Sequence, residues 1–312
     1  MRRSFWIVLA AIVILGAAAS TECLARKVHE DAGTSGAQLL KIGVGAKAVG
    51  MGESYVAAAD DVYAAYWNPA GLTHVETNQF GFMHNEWFED IRYEFLGYVQ
   101  PVGELGTLAG SISYISMGDL ERTDETGTVV GDSFHPYDIL LGLSFGRQLS
   151  DDISIGVNGK FLREKIDEET ADAFAVDIGG LYFIPNSGLI LGVNVQHLGT
   201  KMKFIEESFS LPLNVKFGAA YRLIDGALTI ATDVNRPVDN YVNVGLGAEY
   251  KIMGIMNLRG GYRYTVGGNP LGTASGLRAG VGVEITDYKI DYAFVPYGEL
   301  GQAHRISLVA SF

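Results

Sequence analysis

From about residue 77 to the C-terminus, apolar and polar positions alternate with a period of two. That period belongs to strands, whose successive side chains point to opposite faces. The last nine residues, HRISLVASF, put Ile306, Leu308, Ala310 and Phe312 on one face and Arg305, Ser307, Val309 and Ser311 on the other. Leu277, Ala279, Val281, Val283 and Ile285 oppose Arg278, Gly280, Gly282 and Glu284 in the same way. Lys216 and Arg222 share a face, opposite Phe217, Ala219 and Tyr221. Counting such runs predicts about fourteen strands, at roughly 77–88, 91–101, 105–117, 136–148, 152–165, 172–184, 188–199, 211–223, 227–235, 240–251, 255–266, 275–285, 288–297 and 303–312.

A soluble sandwich alternates too, with its polar face outside. Two features favour a membrane barrel. The polar face mixes glycine with charges of both signs, as a crowded lumen would. The apolar face carries aromatics near strand ends, as interfacial girdles do. Loop lengths point the same way. Short connections such as LSDD (149–152), PNSG (185–188), IDG (224–226) and TD (286–287) follow alternate strands. The long connections, 118–135, 200–210 and 267–274, fall on the other rim. Tight turns on one rim and long loops on the other are the outer-membrane pattern. The expected fold is therefore all-β: a transmembrane antiparallel β-barrel over 77–312 of about fourteen strands, with a small N-terminal helical hatch. Phe312, an aromatic closing an alternating strand, resembles the signal read by the outer-membrane barrel-assembly machinery.

Residues 26–76 do not alternate. Asp60 and Asp61 suit the start of a helix over Val62–Trp67. Asn68 precedes a proline and is pushed out of the helical region, so the helix stops there. Gly71 then permits a turn before the first strand. A compact segment ahead of a wide closed barrel must sit below it or inside it, and alanines at 57–59 and 64–65 suit close packing inside. Gly43-Val44-Gly45-Ala46-Lys47-Ala48 fits G-x-G-x-x-A, but a dinucleotide site needs a βαβ unit, and an antiparallel barrel follows here instead.

The first 25 residues read as a secretory signal: Arg2 and Arg3, then an apolar run from Phe5 to Ala19, then small residues at candidate cleavage sites. Cys23 is the single cysteine, and the polar residues before it fit a lipoprotein site poorly. Cleavage after Ala25 removes Arg2, Arg3 and Glu22 from 23 basic and 36 acidic residues, for a charge of −14. Such a surface is no footprint for nucleic acid.

The stretch LLKIGVGAKAVGMGESYVAAADDVYAAYWNPAGL (39–72) resembles the N-terminal region of PorV/PorQ-type outer-membrane proteins, within the broader FadL-like group. Asn68, Pro69, Ala70 and Gly71 carry the most specific part. The resemblance implies a hatch inside the barrel and export to the outer membrane of a Gram-negative-type bacterium. It also implies passage of hydrophobic or amphipathic small molecules, with hatch movement and a lateral gap in the wall. Its PorV branch implies the alternative of a type IX secretion shuttle that binds exported cargo proteins.

Lys216, Arg222, Arg259, Arg263, Arg278, Glu284 and Asp291 are the lumen-facing candidates, read either as a ladder of ion pairs holding the hatch or as a solute path. Expected partners are outer-membrane lipid and lipopolysaccharide, the assembly machinery, and hydrophobic small molecules or cargo proteins. No cofactor is expected. The acidic loop 118–135 lacks the spacing of an EF-hand, so no metal site is assigned. His74, His84, His135, His197 and His304 are scattered and no G-x-S-x-G occurs, so no catalytic residue and no enzymatic activity are expected.

Overall fold

The computed structural model describes residues 29–269 and 271–312. The expected signal segment, 1–25, lies outside the described residues. The barrel strands are β1 (Gln79–Glu86), β2 (Arg92–Pro101), β3 (Thr107–Ser116), β4 (Tyr137–Ser150), β5 (Ile153–Ile166), β6 (Glu169–Phe183) and β7 (Leu189–Gly199). A short hairpin follows, β8 (Met202–Phe204) and β9 (Glu207–Phe209). The barrel resumes with β10 (Asn214–Leu223), β11 (Leu228–Pro237), β12 (Asn243–Ile252), β13 (Met256–Thr265), β14 (Leu277–Ile285), β15 (Tyr288–Pro296) and β16 (Gln302–Ser311). Fourteen strands close antiparallel, with β1 pairing both β2 and β16 and β7 pairing β10 across the separate hairpin. The register at the seam sets Gln79 against Ser311 on one side and Val99 on the other.

The alternation has the predicted sense. Phe80, Phe82, Leu96, Tyr98, Leu108 and Ile112 are exposed on the outer surface. On β14 the exposed residues alternate with buried Arg278, Gly280 and Gly282. An outward apolar band over a polar interior is the signature of a lipid-embedded barrel. No helix among the described residues is long and apolar enough to cross a membrane. β4, β5 and β6 have 14, 14 and 15 residues, longer than the roughly 9–11 a membrane requires, and β6 runs on past its neighbour β7 at the long-loop end, where their pairing stops at Ala175.

Residues 29–76 run through the lumen. They enter at the long-loop end, where the His29 ring meets Tyr241 edge-on at 4.9 Å and Ser35 bridges Ser210. They leave beside β1 at the tight-turn end. Helical pieces are short: a 3₁₀ turn at Gln38–Lys41, a helix at Ala46–Gly50, a helix at Ala64–Trp67 and a 3₁₀ stretch at Pro69–His74.

Three local expectations change. The second helix begins at Ala64, not Val62, because Asp61 accepts from the Tyr63 amide at 3.0 Å in a turn ahead of it. Gly71 lies within the 3₁₀ stretch, not at a turn, and abuts Ala59 where a side chain would collide. The loop expected at 200–210 contains the β8–β9 hairpin, whose three-residue strands are too short to show a period.

Candidate functional site

The hatch fits because the wall is bare of side chains where it passes. A Cβ on Gly192 would stand 2.9 Å from the Val56 carbonyl oxygen, and one on Gly156 would strike the backbone of Pro69 and Ala70. Within the hatch, a Cβ on Gly43 would stand 2.7 Å from the Trp67 ring and one on Gly45 2.8 Å from the Tyr63 ring. These two glycines of the G-x-G-x-x-A run are seats for aromatic rings.

Wall carboxamides then take the carbonyls that end the second helix. Asn158 donates to Ala65 O (3.0 Å), Gln196 to Tyr66 O (2.6 Å) and Asn194 to Trp67 O (2.7 Å). The last carbonyls of a helix have no partner of their own, so the barrel supplies the cap. Asn68 continues the pattern: its Oδ1 accepts from Ala70 N–H at 3.1 Å, and its Nδ2 donates to Val56 O (2.9 Å) and Gly180 O (3.2 Å). Pro69 follows at the first position of the 3₁₀ stretch, where its missing N–H costs nothing. Asp233 on β11 accepts from the amides of Tyr55 (2.8 Å) and Val56 (2.9 Å). Trp67 Nε1 donates to Val44 O at 2.8 Å. Asn158, Asn194, Gln196 and Asp233 were not singled out from the sequence. Their signal was there, since each is a polar residue at an inward position of its strand.

The candidate charges divide into two groups. Toward the long-loop end, Arg263 pairs with Glu53 at 2.5 Å. Lys216 stands 4.8 Å from the Trp67 ring centroid and 5.7 Å from that of Tyr66. Arg278 donates to Ser275 O (2.6 Å) and Leu277 O (2.8 Å) and lies over Tyr297. Toward the tight-turn end, Arg259 is held between Glu249 (2.5 Å) and Asp291 (2.6 Å). Glu284 meets Lys251 and Lys289 at the rim, and Arg222 reaches to 4.0 Å from Asp60. Lys47 bonds Asp60 at 2.8 Å and approaches Glu249 at 3.9 Å. Thus ion pairs join hatch to wall at both levels, with Lys41–Asp239 a further one near the long-loop mouth.

Asp60 and Asp61 are neighbours with different fates. Burial works against ionising Asp60, but the Lys47 ammonium and the Tyr55 hydroxyl outweigh it and hold the carboxyl below the usual range. Asp61 is pushed up to about 6, by burial first and then by the charge of Asp60.

Above the hatch, a polar cavity of ≈ 90 Å³ remains, floored by Tyr66 and Trp67 and walled by Gln196, Asn214, Lys216 and Asn235. On the outer face of the barrel, Leu143, Phe161, Phe174, Val176 and Leu198 line an apolar groove of ≈ 680 Å³. Between them the β6–β7 register shifts. His197 takes a left-handed conformation there (φ 64°), and its amide donates to Asp177 at 2.8 Å. Lys160 meets Asp177 at 2.5 Å and His197 Nδ1 at 3.1 Å. His197 lines the cavity and Leu198 the groove, so the two hollows lie back to back across one bulge.

A closed fourteen-strand barrel with an apolar outer band and a lumen filled by its own N-terminal segment defines a hatch-plugged outer-membrane barrel. The chain belongs to the PorV family: the family model described as type IX secretion system protein PorV matches residues 26–237. Among solved structures, it is similar to the toluene transporter TodX of Pseudomonas putida, with 14% identity, a TM-score of 0.60, and coverage of 86% of this chain and 97% of that one. It is also similar to the toluene transporter TbuX of Ralstonia pickettii (16%, TM-score 0.61, covering 86% and 98%). A FadL homologue of Pseudomonas aeruginosa is a third (12%, TM-score 0.54, 86% and 98%). No curated protein matches the sequence.

Proposed function

We propose that this protein passes amphipathic compounds across the outer membrane, with the hatch as its gate. The observation that carries this reading is the back-to-back placement of the polar cavity and the apolar groove across the His197 bulge. A solute with a polar end and an apolar end finds a fitting environment on each side of that wall. The similar barrels described as toluene and monoaromatic hydrocarbon channels support a transport role for the shared architecture. Phe312 serves as the assembly signal, and the outer band contacts membrane lipid and lipopolysaccharide. No enzymatic reaction belongs to this reading. The test is reconstitution in liposomes and uptake of labelled medium-chain fatty acids and small aromatics. Uptake above that of an unrelated plugged barrel is expected, and uptake equal to it would overturn the proposal.

The family match favours a second reading, in which the barrel is a type IX secretion component that receives exported cargo proteins. Crosslinking in the native host followed by mass spectrometry should then recover cargo sharing a C-terminal domain. Recovery of assembly machinery and lipopolysaccharide alone would count against it.

A further inference from the structure

The polar cavity above the hatch is built with unmatched chemistry. Lys216 is 6% exposed, and among the described residues its ammonium has neither a carboxylate within ion-pair distance nor a hydrogen-bond acceptor; it stands over the faces of Trp67 and Tyr66. Of the Asp233 carboxylate on the adjoining strand, Oδ2 takes the Tyr55 and Val56 amides, while Oδ1 is buried without a hydrogen-bond partner and lies outside ion-pair distance of Lys216. Four buried acceptor oxygens of cavity-lining residues also lack partners: Gln196 Oε1, Asn214 Oδ1, Asn235 Oδ1 and Asp239 Oδ1. Two of these orientations are set by other bonds, because Gln196 Nε2 donates to Tyr66 O and Asn235 Nδ2 to Asn243 Oδ1. A buried charge or acceptor left alone is costly, so such a group marks where a ligand or water completes the site.

We propose that this cavity is a binding site for a small hydroxylated carboxylate, whose carboxylate meets Lys216 and whose hydroxyls donate to the orphaned oxygens of Gln196, Asn214, Asn235 and Asp239. An anion answers the unpaired ammonium. The four acceptors require donors, and hydroxyls supply them. Lys41 and Arg263 are already paired with Asp239 and Glu53, which leaves Lys216 as the cation for the ligand's carboxylate. The volume of ≈ 90 Å³ is below the roughly 150 Å³ of an apolar cavity that holds benzene, and about half of the lining is polar. An aromatic hydrocarbon is therefore not the occupant of this spot. Asn240, at the edge of the cavity, is exposed, so the rest of a longer ligand can extend toward the loops. The inference rests on the transport reading only in treating the cavity as the place where a solute's polar end is received.

The test is calorimetric titration of the detergent-purified protein with D-glycerate, propionate and glycerol. Glycerate should bind, with propionate (no hydroxyl) and glycerol (no charge) weaker by about tenfold or more. Lys216→Met and Asn235→Leu should each weaken glycerate by about tenfold or more. Asn235→Leu carries the test if Lys216→Met does not assemble. Absence of glycerate binding, equal binding of propionate, or binding undiminished in either variant would overturn the proposal. Liposome uptake is read separately. Fatty-acid uptake without glycerate binding overturns the ligand assignment alone, and binding without uptake overturns the transport reading alone.

Discussion

Replacing Asn68 with alanine should unseat the hatch while leaving the barrel closed. Asn68 is fully buried and its side chain makes three hydrogen bonds: with Ala70 N–H inside the NPAGL run, with Val56 O elsewhere in the hatch, and with Gly180 O on β6. Alanine removes all three and leaves the Ala70 N–H and the Val56 carbonyl without those partners in a dry interface. Each buried group so orphaned costs about 1–3 kcal/mol, so the seated hatch should lose roughly 3–5 kcal/mol. At about 1.4 kcal/mol per decade, its open population rises by roughly two to three and a half orders of magnitude. The ladder hydrogen bonds of the barrel are untouched by the change. Hydrogen exchange followed by mass spectrometry is the direct assay. Hatch peptides over residues 44–72 should exchange faster by that factor, while peptides from β11 to β16 keep wild-type protection. Pro69→Ala is the control. Its position tolerates alanine and the Asn68 cap remains, so the effect should stay below about 1 kcal/mol. Hatch protection in Asn68→Ala within a few-fold of wild type would refute the idea that this side chain pins the hatch.

Three further outcomes are expected. Gly156→Val should prevent the hatch from seating, because the new side chain overlaps the backbone of Pro69 and Ala70, and should raise conductance in planar bilayers; Gly260→Val, with nothing within 4 Å, should leave conductance at the wild-type level. Asp61 holds its proton more tightly in the seated hatch than a solvated aspartate near 3.9 would, so its contribution to seating is full below about pH 4 and fades as pH rises through 6, by at most about 3 kcal/mol. Asp61→Asn should flatten that dependence, as read by hatch exchange between pH 4 and 7.5. Phe312→Ala should lower the amount of barrel recovered in the outer-membrane fraction, even though the residue is exposed and its nearest aromatic contact is a stacked Tyr98 at 6.4 Å.

The barrel was legible because lipid and lumen impose opposite demands on alternate residues. The inward placement of Arg259, Arg278 and Asp291 could be assigned from period two alone, and the even count of strands returns the C-terminus to the rim where the barrel begins, where β16 pairs β1. Boundaries moved where no such demand acts. β6 begins at Glu169, three residues before its expected start, because its first residues pair with β5 alone, beyond the end of β7, and carry a polar outer residue, Asp172, bonded to Arg163. The hatch was legible as an object, from Asn68-Pro69 and the loss of alternation, but its attachments were not. Which backbone carbonyl Asn158, Asn194 or Gln196 would reach depends on a three-dimensional seat. That seat exists only because glycines from several strands leave room for it. Gly43 and Gly45 show the same limit: a nucleotide loop and a socket for two aromatic rings have the same spelling.

The hatch as gate is the central claim, and a tether tests it most directly. Thr73 Oγ1, in the last 3₁₀ stretch of the hatch, lies 3.0 Å from Ser154 Oγ on β5, so Thr73→Cys with Ser154→Cys would link hatch to wall. The native cysteine, Cys23, lies in the expected signal segment and leaves the pair unambiguous. Uptake of a labelled medium-chain fatty acid into liposomes should be lost when this variant is oxidised and return on adding reductant. Equal uptake in the oxidised and reduced protein would contradict a moving hatch as the gate.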